Sequence, residues 1–400
     1  MKKTFFKFSL MVFAILATIG CNKQQTAENV IFLIGDGMGL GAISQLLLYE
    51  EEPTAIEEGF VIGLSETRSA NNFVTDSPAG GTALATGTRT NNGYLGVDPE
   101  GKQLTSLLKK AQAKGKKSGI VVNTVLTEAT PGAFYAGVKK RAEVYKIAEQ
   151  FLDSGVDLAI GSGLSAFINR PDSVDLTQKL IEKGYDVILD WPTILATDSQ
   201  KYIGILPEAG VHRRNKSKDI IAKGGDGAPV CIAAKMAAES DDNFNDNLDI
   251  NEPEKYMPKA LTKALETLSN NNGKGFFLMV ESAIIDGYGH NNDSYGLLEE
   301  MQEFNETVKV VKAFAQSHPN TLLVITADHE TGGVGVSYRV SPENMKDTVK
   351  VVFSTTGHTG TVVPVFALGP GAEKFDCIMK NIDIPAKISE IEGLYIIRIN

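Results

Sequence analysis

The chain of 400 residues holds five histidines, and three of them stand in settings that suit metal coordination. Asp286-Gly-Tyr-Gly-His290 sets a carboxylate and an imidazole four apart, so a helical turn brings both to one side, where they can share an ion. Asp328-His329 is a second oxygen and nitrogen pair, and Gly357-His358-Thr359-Gly360 places a third imidazole in a backbone free to bend. A lone histidine is ordinarily a core or surface residue, which is the reading for His212 and His318. Three in clusters point to metal.

A nucleophile is the other requirement for hydrolytic chemistry. Thr75-Asp76-Ser77-Pro78 runs into Ala79-Gly80-Gly81-Thr82-Ala83, which reads as Ser77 at an N-cap, Pro78 at the first helical position, and a helix of small residues able to pack closely. Ser77 as a simple cap is the structural alternative. A hydroxyl there also faces unpaired backbone N–H groups and the positive end of the helix dipole, which suits an alkoxide and a bound phosphate. The two roles are compatible.

These residues need elements to hold them. Asn29 to Gly35 is a continuous apolar run bounded by turn residues, as expected of a parallel strand buried on both faces. Gly275 to Val280 and Thr321 to Thr326 repeat the pattern, and Gly119 to Val122 is a shorter candidate. Between them, Leu297, Met301, Phe304, Val308 and Val311 mark one face of a helix, and Leu104, Leu107, Leu108 and Ala111 another, ended by Gly115. The predicted class is α/β, a three-layer sandwich with a central, mostly parallel β-sheet flanked by helices. Ligands in such sheets sit beyond the carboxyl ends of strands. Asp36, Glu281 and Asp328-His329 follow three of the predicted strands, so the candidate ligands converge where the fold predicts a site. The stretch from about residue 155 to residue 251 is less periodic, and an insertion shaping the mouth would fall there.

Residues 1–20 differ in kind. Lys2, Lys3 and Lys7 precede an apolar run from Phe8 to Ile19, too short to span a bilayer but suited to a signal peptide. It ends in Thr18-Ile19-Gly20-Cys21, which resembles a bacterial lipoprotein processing site, so Cys21 is the expected lipidated residue and 21–28 a polar tether. The protein is then exported, periplasmic or at the cell surface, and touches membrane only through that anchor. Residues 29–400 form one catalytic domain. Cys231 and Cys377 lack metal-site spacing; a single disulfide between them is permitted but not indicated, and buried free thiols are equally expected. With a net charge of −10 there is no evident nucleic-acid surface, and His212-Arg213-Arg214 with Lys216 and Lys218 reads as a solvated loop.

Several motifs taken in order are similar to those of the alkaline phosphatases. They are Asp36-Gly37-Met38-Gly39, Thr75 to Ala83, Glu128-Ala129-Thr130-Pro131, Arg141, Val280-Glu281, Asp286 to His290, Ala327 to Gly333, and Gly357 to Gly360. The resemblance extends from Asn29 to the Phe366 to Pro370 segment. It implies hydrolysis of small-molecule phosphate monoesters through a phosphoserine on Ser77. It further implies that Asp286, His290 and His358 hold one Zn2+, and that Asp36, Asp328 and His329 hold a second beside Ser77. Asp36, Thr130 and Glu281, with Glu128 nearby, would surround a Mg2+, and Arg141 would clamp two phosphate oxygens in a bidentate fork. Imidazole with carboxylate suits zinc, and an all-oxygen set suits magnesium.

Two positions depart from the family pattern: Glu128 stands where Asp or His is commoner, and Gly287 where a bulkier residue is usual. A phosphodiesterase or sulfatase on the same fold is the nearest rival. The sulfatase motif is absent around Ser77, and diesterases usually lack the third metal set, represented here by Thr130 and Glu281 with Arg141 close by. A non-catalytic metal- or phosphate-binding lipoprotein is the alternative of another class. Oligomeric state is left open, a homodimer included.

Overall fold

The computed structural model describes residues 26–207, 256–270, 273–338 and 349–394. The leader, Cys21, His212, the basic run after it and Cys231 lie outside them. Fourteen strands occur among the described residues: β1 Asn29–Gly35, β2 Val61–Glu66, β3 Lys117–Val125, β4 Leu158–Ser162, β5 Asp186–Ile188, β6 Tyr202–Leu206, β7 Phe276–Ser282, β8 Thr321–Thr326, β9 Glu330–Thr331, β10 Val334–Tyr338, β11 Val349–Phe353, β12 His358–Thr359, β13 Val363–Leu368 and β14 Ile378–Lys380. Ten of them form one sheet in the order β14-β2-β13-β8-β1-β7-β3-β4-β6-β5. Every pairing in it is parallel except those made by β13, which runs against β2 and β8.

Alternation along each strand divides the core in two. Val30, Phe32 and Ile34 of β1 enter one apolar cluster with Phe277, Met279 and Phe134; Ile31 and Leu33 enter the other with Leu278, Met301 and Phe304. Helices Ser77–Thr86, Leu107–Ala113, Ala129–Tyr135 and Asp383–Ile391 cover the first face, and Leu40–Tyr49, Tyr256–Ser269 and Ser294–Ser317 the second. The three-layer α/β sandwich read from the sequence is therefore the fold.

Some boundaries differ from the sequence reading. The helix expected from Leu104 begins at Leu107, because Ser106 caps it by accepting from Lys109 N at 3.2 Å. Glu281 is the penultimate residue of β7 rather than the residue after it. Residues 158–206, which showed no clear period, supply β4, β5 and β6 and so extend the parallel sheet at one edge. Cys377 is an exposed free thiol. No helix of the described residues is long and apolar enough to cross a membrane.

Candidate active site

The central strands β8, β1 and β7 are neighbours, and their carboxyl ends carry the candidate ligands. Asp36 follows β1, Glu281 is the penultimate residue of β7, and Asp328-His329 follow β8. The short Ile284–His290 helix springs from β7 and brings Asp286 and His290 together, as their spacing predicts, with His290 Nε2 3.3 Å from Asp286 Oδ2. His358 arrives on β12, which pairs with β9 so that His358 lies opposite Thr331.

Two groups with metal-site geometry result: Asp286, His290 and His358, and Asp36, Asp328 and His329. In the second, His329 Nε2 lies 3.4 Å from Asp36 Oδ1 and 3.3 Å from Asp328 Oδ2. The ring orientations are fixed from behind. His290 Nδ1 is 2.6 Å from the Thr356 carbonyl and His358 Nδ1 is 2.9 Å from the Thr75 carbonyl, so both must donate there. Each then turns an Nε2 lone pair inward, and these two nitrogens are 3.2 Å apart. Two facing lone pairs repel unless a cation lies against both, and imidazoles locked in this way are typical of metal ligands.

Thr331 was not singled out in the sequence, yet it joins the two groups. Its hydroxyl is 2.5 Å from Asp286 Oδ1, to which it must donate, and it therefore accepts from His329 Nδ1 at 3.1 Å. A threonine among small residues carries no periodic signal that would have marked it.

The carboxylates are crowded and dry. Burial first, then the charges of Asp328 and Asp286, pushes the Asp36 carboxyl well above its usual range. Burial and the nearby Glu128 raise Glu281, and burial with Asp286 lifts Asp328 to about 7. Burial would raise Asp286 too, but the imidazoles of His290, His358 and His329 gathered around it outweigh the burial and hold that group low. Burial and His358 keep the His329 imidazole well below its ordinary value, hence neutral. Asp36 Oδ1, Asp328 Oδ2, both oxygens of Glu281 and Thr130 Oγ1 are buried without a hydrogen-bond partner. Unsatisfied acceptors at this density are costly in a protein interior and are what cations would satisfy. The residues present fit metal ions.

Ser77 corrects the sequence reading in one respect. The N-cap is Asp76, not Ser77: one of its oxygens accepts from Ala79 N at 3.1 Å and the other from Gly93 N at 2.6 Å. A carboxylate is the stronger acceptor for the orphan N–H groups, so it takes the cap and displaces Ser77 and Pro78 one place into the helix. The Ser77 hydroxyl is thereby released from capping and lies 3.2 Å from His329 Nε2. Gly81 lets this helix approach the next, since a Cβ there would stand 3.0 Å from Thr130 Cα.

Arg141 lies in the turn before the Val144–Phe151 helix, and its guanidinium pairs with Glu128. Glu128 caps the Ala129–Tyr135 helix that carries Thr130. His318 is exposed and stacked on Phe314, a surface residue as read.

The alkaline phosphatase sequence profile matches residues 27–345. The chain belongs to the alkaline phosphatase family. Alkaline phosphatase 4 of Bacillus subtilis is 28% identical over 90% of this chain and 88% of its own. Alkaline phosphatase 3 of the same organism is 30% identical over 78% of this chain and 63% of its own. Among solved structures, the alkaline phosphatase of the Antarctic bacterium TAB5 superposes with a TM-score of 0.79 at 29% identity, covering 92% of this chain and 99% of that one. As a member of the family the chain is a metal-binding hydrolase of phosphate monoesters.

Proposed function

We propose that Ser77 is the nucleophile of this hydrolysis and that a phosphoserine forms on it. The observation that carries the reading is the position of Ser77 Oγ, buried at the start of a helix and 3.2 Å from His329 Nε2. Ser77 Oγ bonds to phosphorus as the ester P–O bond breaks and the alcohol leaves; water then cleaves the Ser77 phosphoester and frees phosphate. The first-turn N–H groups and the dipole of the Ser77–Thr86 helix favour the negative phosphoryl group. Arg141 offers a planar fork to two non-bridging oxygens, and its pairing with Glu128 keeps that fork at the site's edge.

Asp286, His290 and His358 would hold one zinc ion, and Asp36, Asp328 and His329 a second, each a carboxylate and imidazole set. Asp36, Thr130 and Glu281, with Glu128 beside them, form an oxygen-only set for magnesium, supported by their unsatisfied buried oxygens. A His-to-Glu variant of the TAB5 enzyme, 29% identical to this chain, is described with Mg bound in the M3 site. Once bound, the two zinc ions would supply positive charge for the attacking and departing oxygens. The protein is an exported lipoprotein anchored at Cys21; fatty-acid labelling that persisted in Cys21→Ser would exclude the anchor.

The deciding assay compares a phosphate monoester, a diester and a sulfate ester on zinc- and magnesium-loaded protein and on Ser77→Ala. Monoester turnover should fall by at least about a thousandfold in the variant. Undiminished turnover would remove Ser77 from the mechanism.

A further inference from the structure

On the face of β7 opposite Glu281 lies a buried polar knot that the chemistry above does not use. Glu300 sits on the inward side of the Ser294–Ser317 helix among Leu297, Met301 and Phe304, and is 5% exposed. A carboxylate in such surroundings has lost its water and must find donors. Asn123 Nδ2 donates to Glu300 Oε1 at 2.7 Å, and Ser282 Oγ donates to the same oxygen at 3.2 Å. The other end of the Asn123 amide, Oδ1, accepts from Ala283 N at 2.8 Å. Asn123 itself falls where the β3–β4 register shifts between Val121 and Val125. Such irregularities commonly re-aim a side chain beside a site.

The location of this knot gives it meaning. Side chains alternate along β7, so Glu281 turns toward Thr130 and Glu128 while Ser282 turns toward the Ser294–Ser317 helix. Ala283 is the residue before the helix that carries Asp286 and His290. The Ser282 carbonyl accepts from Asp36 N at 3.0 Å. The segment 281–283 therefore adjoins ligands of both metal groups and the all-oxygen set.

We infer that Asn123, Ser282 and Glu300 form a positioning device for the metal ligands. Glu300 orients the Asn123 amide, the amide fixes Ala283 N, and Ala283 sets where β7 turns into the ligand-bearing helix. None of the three touches the reacting atoms, so they are positioning residues. The inference rests on the metal reading given above.

Zinc affinity measured by competition with a chromophoric chelator tests it, with circular dichroism confirming the fold of each variant. Glu300→Ala should bind zinc about tenfold more weakly. Glu300→Gln keeps an acceptor oxygen for Asn123 and Ser282 and should recover affinity to within about threefold of wild type. If Glu300→Ala does not fold, Asn123→Ser is measured in its place with the same expected loss. A folded variant that melts earlier but binds zinc as wild type does would overturn the inference, because a purely structural strut has that signature. Glu300→Gln as weak as Glu300→Ala would overturn the hydrogen-bonding role. A wild type that takes up no zinc would instead overturn the metal reading.

Discussion

Thr331→Val removes one oxygen and keeps the shape of the side chain. That oxygen donates to Asp286 at 2.5 Å and accepts from His329 at 3.1 Å, so the substitution touches one residue from each candidate metal group. A hydrogen bond to a charged group is worth about 1.5–3 kcal/mol, and a buried N–H left without an acceptor costs about 1–3 kcal/mol. The two effects share one atom and are not additive. A net weakening of about 1.4–2.7 kcal/mol is expected, which is about 10- to 100-fold in zinc affinity. The backbone register that sets Thr331 opposite His358 on β12 is independent of the hydroxyl, so the fold should persist. Competition titration resolving two zinc equivalents should show both weakened. If only one equivalent moves, Thr331 does not join the groups; if both stay within about twofold of wild type, the bridge has no energetic weight.

Two further substitutions test the scaffold. Gly37→Ala combines a positive φ of 73° with a Cβ that would lie 2.7 Å from Asp286 Cα, so a loss of about 2–4 kcal/mol in urea unfolding is expected, and less than about 0.5 would contradict the packing. Glu392, beside Lys116, has its carboxyl raised from 4.5 to about 7, chiefly by burial and partly offset by the lysine. With the folded value above the unfolded one, its stabilising contribution is complete below about pH 4.5 and is lost as pH rises through about 7, roughly 3 kcal/mol in all. Glu392→Gln should therefore flatten the fall in stability between pH 5 and pH 8, and an unchanged slope would refute the assignment.

Much of the site could be read from residue types because its logic is topological. Apolar runs buried on both faces identify parallel strands, such strands put ligands at their carboxyl ends, and Asp36, Glu281 and Asp328 stand there. What escaped has physical reasons. Asp76 and Ser77 are both good caps, and the sequence does not say which of two adjacent acceptors takes the role. β4 and β6 carry Gly161 and Gly204 within short spans, which breaks the period that marks a strand. Glu300 follows Glu299 and looks like part of a solvated face, although its spacing from Leu297 and Phe304 puts it on the apolar stripe.

The displaced cap also explains how one helix can meet two of the candidate ligand sets. Were Ser77 the cap, its oxygen would be committed to a backbone N–H and turned from His329. Asp76 takes that duty and also binds Gly93 N, which ties the helix start to the loop whose Gly93 carbonyl accepts from Arg141 N at 3.1 Å. Ser77 and Arg141 are thus registered to each other through a single carboxylate. The helix then continues in glycine where it meets ligands: a Cβ at Gly80 would stand 3.1 Å from Asp328 Cβ, and one at Gly81 3.0 Å from Thr130 Cα. Larger residues at either position would push Ser77 away from one ligand set while leaving the others in place. The run of small residues after Ser77 is therefore a distance constraint on the Ser77 hydroxyl as well as a packing convenience.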